Sequence, residues 1–241
     1  MDRVTPGLLR ALFITDPLII LATILMGSIS VLVSFFDHGG YKQGVIARWW
    51  SWMLLRIAGV RMNVIGLEKL DLSASYVFVS NHVSYMDTPV VLAHIPVQFR
   101  FLAKKSLFRI PFLGTHLTRA GHMPVPREDP RAALKVMTEA ARVIRERNIS
   151  MLVFPEGGRS SEGLQPFKEG AAYIAIKAGV PLVPLSITGT HAVLPMGSVH
   201  MRAGRVELRI GEPIPTADRA LQDRAALTAE ARARVAALLS Q

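Results

Sequence analysis

The sequence predicts an α/β domain, a mixed central sheet flanked by helices, preceded by a membrane-associated helical hairpin. Three observations carry this reading. From residue 62 onward, apolar runs of strand length alternate with longer segments of helical period. Residues 17–36, between Asp16 and Asp37, are twenty positions without a formal charge. All three tryptophans, Trp49, Trp50 and Trp52, follow that run closely, as aromatic residues do at a membrane interface. The chain thus divides near residue 60, with a membrane-anchoring two-helix segment over 1–60 and one α/β domain over 61–241.

As a helix, the uncharged run is about 30 Å long, the thickness of a bilayer core. It is too long for a signal-peptide core, and no small-x-small cleavage site follows it. After Gly39-Gly40 comes a second apolar stretch, Gly44 to Val60, whose Arg48 and Arg56 suit an interfacial helix. The alternative is a pair of buried helices in a soluble bundle. Strand candidates are Met62–Ile65, Tyr76–Val79, Phe99–Ala103, Met123–Val125, Met151–Phe154, Leu182–Ile187 and Arg205–Ile210. The clearest helix is Pro130–Arg147, with Asp129 as N-cap and proline at the first helical position. Further helices cover about Gly170–Ala178 and Ala217–Leu239. Pro181 and Pro184 interrupt the apolar run Val180–Leu185. Proline has no N–H to give a central ladder, so this strand is expected at an edge or as an irregular wall.

Half of the 241 residues are hydrophobic, mean hydropathy is +0.32, and net charge is +10 with a pI near 10.5. An apolar and basic chain suits anionic lipid headgroups. Nucleic acid is the other usual partner of a basic chain, but aromatic-interleaved basic motifs and zinc spacings are missing from the sequence. With no cysteine, a disulfide framework is excluded.

Chemistry concentrates after the strand Tyr76–Val79. His82 stands at its end, and Asp87 follows five residues later. That spacing puts the two side chains apart on a helix and on opposite faces of a strand. For them to meet, the chain must turn, and Ser84 and Thr88-Pro89 supply the residues for a turn and a helix start. A carboxylate on one imidazole nitrogen fixes the tautomer and leaves the other nitrogen free to take a hydroxyl proton. The chain offers no cysteine and no Gly-x-Ser-x-Gly elbow, so the attacking hydroxyl would belong to the substrate. The competing reading is a capping box between Ser84 and Asp87 with a loop histidine beside it.

Three more clusters fall where strands give way to loops, the usual place for sites in α/β sheets. They are Lys104-Lys105, the segment Gly121–Arg127, and Phe154-Pro155-Glu156-Gly157-Gly158-Arg159-Ser160. Glycine pairs let a ligand approach the backbone, and arginine grips phosphate with two parallel bonds. The remaining histidines show no metal-ligand spacing.

With these blocks in order, the chain closely resembles the glycerolipid acyltransferases, and among them the bacterial 1-acylglycerol-3-phosphate acyltransferases. The Asn-His-x-Ser-x-x-Asp block matches Asn81, His82, Ser84 and Asp87. The spaced glycine and arginine match Gly121 and Arg127. Phe-Pro-Glu-Gly-Thr-Arg-Ser matches Phe154–Ser160, with Gly158 in place of threonine, and the Val-Pro-aliphatic-aliphatic-Pro block matches Val180–Pro184. The resemblance covers roughly residues 60–190.

The resemblance implies acyl transfer from a thioester of coenzyme A or acyl carrier protein to lysophosphatidic acid, giving phosphatidic acid with no further cofactor and no metal. It makes His82 the general base and Asp87 its orienter. Arg127 and Arg159, with Lys105, would hold the phosphate, and Glu156 and Gly157 would shape that pocket. Asn81, Ser84, Gly121 and Pro184 complete the expected substrate-binding set. The expected location is the bacterial inner (cytoplasmic) membrane, with the catalytic domain facing the cytosol on anionic lipids. The same blocks recur in enzymes for other lysolipids, such as lyso-ornithine lipid. A non-catalytic basic membrane-binding module is the reading from a different class, against which the intact His82, Asp87, Glu156 and Arg159 argue.

Overall fold

A computed structural model describes residues 6–37, 39–110, 112–126 and 128–241. Helix α1 (Pro6–Arg10) passes through one π turn (Ala11–Thr15) into α2 (Asp16–Val33). The stretch Gly7–Val33 is thereby one helix of 27 residues, long and apolar enough to cross a membrane. It exposes Leu18, Leu21, Ile24, Leu25 and Leu32, whereas the helix of a soluble bundle buries an apolar stripe. Helix α3 (Tyr41–Ala58) packs back along α2, and Trp50 Nε1 donates to Thr23 Oγ1 at 3.0 Å. Its other side is not lipid-like. Leu54, Leu55 and Ala58 are buried in one cluster with the sheet residues Phe78 and Leu208, while Trp49 and Trp52 stay exposed.

The sheet has seven strands: β1 (Val60–Ile65), β2 (Val77–Ser80), β3 (Phe99–Lys104), β4 (Met123–Val125), β5 (Ser150–Val153), β6 (Leu182–Thr188) and β7 (Gly204–Ile210). Their order is β1-β7-β6-β2-β5-β3-β4. Every neighbouring pair is parallel except β6 with β7. All seven expected strands are present, and the sheet is mixed. Side-chain alternation sorts the core into two layers. Phe78 and Leu152 face α3 and α4 (Asp87–His94). Val77, Val79 and Met151 face α6 (Pro130–Arg147), α7 (Gly170–Ala178) and α9 (Arg224–Leu239). The short α5 (Leu113–Arg119) and α8 (Thr190–Val193) fill connections that the sequence periodicity does not reveal.

The N-cap of α6 is Asp129, whose carboxylate accepts from Ala132 N at 3.0 Å. Two expectations are corrected. The proline-bearing strand β6 is central, not an edge. Its ladder tolerates Pro184 because that residue faces the point where β7 ends: the Pro184 carbonyl accepts from Gly211 N at 2.8 Å, and only the reciprocal donor is missing. The last helix starts at Arg224 rather than Ala217. A turn from Thr216 to Arg219 and the Asp223 carboxylate on Ala220 N break the helical run before it.

Candidate active site

The loop after β2 is pinned before it turns. Asn81 donates through Nδ2 to Ile187 O and accepts from Ile187 N, both at 2.8 Å, tying the loop to β6. Asp87 opens α4 and is fully buried. Its Oδ2 accepts from His82 Nδ1 at 2.8 Å, Val83 N at 2.8 Å and Ser84 N at 2.9 Å, and its Oδ1 accepts from the Thr190 hydroxyl at 2.6 Å. A buried carboxylate is stable only when hydrogen-bonded in this manner. One oxygen therefore closes the turn at Ser84 and orients His82, while the capping box itself is only half formed, because the Asp87 N–H bonds to the Ser84 carbonyl and not to its hydroxyl. Ser84 Oγ donates to Leu194 O at 2.8 Å and locks the loop from behind.

With Nδ1 protonated toward Asp87, Nε2 presents its lone pair. Among the described residues Nε2 has no hydrogen-bond partner, and the side chain is 17% exposed. Phe154, just past β5, stacks on the imidazole at 3.9 Å between centroids and 15° between planes, fixing the ring's plane. What results is an imidazole held by the Asp87 carboxylate and the Phe154 ring, with Nε2 open.

The glycine turn after β5 builds the facing wall. Glu156 accepts from His82 N at 2.6 Å and from Gln165 N at 2.9 Å, and Ser160 N donates to His82 O at 3.0 Å. Burial pushes the Glu156 carboxyl above its ordinary range, while the two backbone N–H groups pull it down. Folding therefore favours its neutral form. Stability from this group is present below its unfolded pKa and is lost as pH rises through the raised folded value. Glu156→Gln should flatten the fall of unfolding free energy that begins as pH rises past the ordinary carboxyl range, about 4. It should also lower stability by about 1–3 kcal/mol, because an amide can accept only one of the two N–H groups. Urea unfolding at a series of pH values from about 4 upward measures both.

Arg159 lies over the Tyr85 ring, 3.4 Å from its centroid, and has no carboxylate partner among the described residues. Gly157 has φ +78°, and a Cβ there would stand 2.8 Å from Lys168 Nζ. Glycine is thus what lets that ammonium lie against the turn. Phe154, Gly157, Lys168 and Lys104 line a cavity of about 150 Å3 at the C-terminal ends of β3, β4 and β5.

The structure gathers Asn81, His82, Ser84, Asp87, Glu156, Gly157 and Arg159 around one strand end. Other expected residues fall elsewhere. Lys105 is exposed in a 3-10 turn, and it is Lys104 that lines the cavity. Gly121 lies in the turn entering β4, against Arg100, on the side away from the strand end. Pro184 is buried inside β6 opposite Val79, with Gly211 against its ring. Arg127 lies outside the described residues.

Three participants were not singled out in the sequence: Thr190, the Phe154 ring and Lys168. The strand-end rule, applied to β6, points to Thr190, whereas nothing in the spacing marks Lys168. Thr190→Val should cost about 1.5–3 kcal/mol, the worth of a hydrogen bond to a charged group. It should slow turnover less than loss of His82, since three donors still hold Asp87. Chemical unfolding and steady-state rates on the same preparation check this.

Known proteins resemble this chain over most of its length. Residues 61–188 match the profile of the family described as Acyltransferase. A 1-acyl-sn-glycerol-3-phosphate acyltransferase from Limnanthes douglasii is 32% identical over 209 residues, covering 86% of this chain and 74% of the relative. One from Haemophilus influenzae is 30% identical over 200 residues, covering 82% of each. The crystal structure of the 1-acyl-sn-glycerophosphate (LPA) acyltransferase PlsC from Thermotoga maritima superposes with a TM-score of 0.77 at 25% identity, covering 97% of this chain and 98% of that one. A family match over more than half of the chain, which includes the histidine oriented by a buried carboxylate at the end of a central strand, carries the assignment: this protein belongs to the acyltransferase family.

Proposed function

We propose that the protein transfers a fatty acyl group from an acyl thioester to the free hydroxyl of 1-acylglycerol-3-phosphate, making phosphatidic acid. The observation that carries this is His82, oriented through Nδ1 with Nε2 free of any protein hydroxyl among the described residues. Nε2 takes the proton of the acceptor hydroxyl, the oxygen attacks the thioester carbonyl, and collapse of the tetrahedral adduct expels the thiolate. The imidazolium returns the proton to sulfur, leaving the enzyme unchanged. Aligning two bound reactants supplies much of the acceleration. The names of the relatives support this acceptor.

Arg159, with Arg127, grips the acceptor's phosphate, and Lys168 and Lys104 add positive charge at the same strand ends. The donor is carried by coenzyme A or acyl carrier protein, and base catalysis of this transfer calls for no further cofactor. Residues 1–60 anchor the chain at the bacterial inner membrane with the catalytic domain on the cytosolic side. The apolar Gly7–Val33 helix and the exposed Trp49 and Trp52 support that placement. There the acyl tails of the substrates need not be drawn through water, at about 0.8 kcal/mol per methylene.

The test offers purified protein both carriers and a panel of lysolipids. 1-Acylglycerol-3-phosphate should be acylated far faster than lyso-ornithine lipid, and the opposite preference would reassign the acceptor. Arg159→Ala should raise the acceptor KM by about 10- to 100-fold with the donor KM unchanged. Arg159→Lys should restore little of it, because an ammonium lacks the fork. Kinetics with each substrate varied separately decide this, and a donor-side defect would move Arg159 to the carrier.

A further inference from the structure

At the β1–β7 edge, Arg10, Arg56, Arg61 and Arg205 line an open cleft of about 580 Å3. The fold forces them together. Arg61 stands directly opposite Arg205 in the parallel β1–β7 register. Arg56 lies in the last turn of α3. A Cβ on Gly59, which caps that helix, would come within 3.2 Å of the Arg10 guanidinium, so glycine admits Arg10 to the cleft.

The charges are unbalanced. None of the four has a carboxylate at ion-pair distance among the described residues. The described acids nearest Arg10 and Arg205 along the chain are engaged: Asp16 accepts from His200 Nδ1 at 2.7 Å, and Glu207 pairs with Arg209 and Asn63. The carbonyls ending α3 offer only about half a negative charge. Like charges directly opposite on neighbouring strands are destabilising, so an anion between Arg61 and Arg205 would relieve the pair.

The cleft also has a telling position. Because β7 runs against β6, its start lies at the end of β6 that leads to Thr190, the same end of the sheet as His82. Arg10 belongs to the apolar helix, two residues before the exposed Leu12, Phe13 and Ile14. Arg56 lies over the exposed Trp52 ring at 4.8 Å. We infer that the four-arginine cleft binds the phosphate of an anionic membrane phospholipid and seats the catalytic end of the sheet on the headgroup layer. The inference rests on the interfacial placement proposed above. The phosphates of a soluble thioester carrier share this chemistry, but the neighbouring exposed apolar side chains favour the lipid.

Vesicle flotation of the full chain tests it, using phosphatidylcholine alone and phosphatidylcholine mixed with phosphatidylglycerol. The exposed pair Arg61→Ser/Arg205→Ser should weaken binding to the anionic vesicles by about 5-fold per arginine, roughly 25-fold together. Binding to phosphatidylcholine alone should be unchanged. The control Lys135→Ser/Arg145→Ser removes the same charge from exposed positions on α6 and should have a far smaller effect. Retained anionic preference in the cleft variant, or equal loss in the control, would overturn the proposal. Kinetics in neutral detergent separate the sources: an unchanged donor KM is expected, and a raised donor KM with intact vesicle preference would assign the cleft to the carrier. His82→Ala should float like the unaltered protein, so failure of the acyl-transfer reading and failure of the lipid site are read in separate assays.

Discussion

His82→Ala is expected to lower kcat by about 10²–10⁴, the usual worth of a positioned general base, with the fold retained. In the proposed reaction turnover depends on one nitrogen. Nε2 is the open lone pair of the strand-end site, and the remaining partners of residue 82 are backbone groups that alanine keeps. The amide still donates to Glu156, and the carbonyl still accepts from Ser160. Lost stacking on Phe154 removes about 0.5–1.5 kcal/mol, too little to unfold a domain of this size. Circular dichroism with steady-state kinetics checks both halves. A folded His82→Ala protein working at close to the normal rate would rule out the mechanism.

Substitutions at Asp87 should be as damaging, because they strike both chemistry and fold. Asp87→Asn keeps the shape but turns one acceptor into a donor. Either the three donors at Oδ2 or the Thr190 hydroxyl then faces an NH2 group. Turnover should fall by roughly 10³–10⁴ as the tautomer and the imidazolium lose their support. Asp87→Ala goes further and strands the buried amides of Val83 and Ser84. At about 1–3 kcal/mol for each unsatisfied group, the loss should be roughly 3–5 kcal/mol. Urea unfolding measures it, and an Asp87→Ala protein as stable as the original would show that the carboxylate does not hold the loop.

Much of this site is legible in the sequence because its chemistry is local. His82, Ser84 and Asp87 meet within one turn, so their spacing already says that the chain must bend between them. Glu156 and Arg159 share a second turn, and the strand-end rule brings the two turns to one end of the sheet. What spacing does not carry is contact between distant segments. Thr190 reaches Asp87 only because β6 pairs with β2, and Lys168 reaches Gly157 only through a fold-back after β5. Misplacing β6 has the same origin. Pro184 argues for an edge until its missing N–H is seen to fall where β7 has ended, at Gly211, costing the ladder a single donor. Likewise the lower half of α3 reads as interfacial from its tryptophans, yet Leu54 and Leu55 belong to the core of the sheet.

The central claim is that the acceptor's own hydroxyl is the nucleophile and His82 only its base. Intact-mass spectrometry tests it most directly, with the protein mixed with an acyl thioester first alone and then with 1-acylglycerol-3-phosphate. An unchanged protein mass in the first mixture and phosphatidic acid in the second is the expected result. An acyl adduct on the protein before any acceptor is added, or no phosphatidic acid from folded protein, would contradict it.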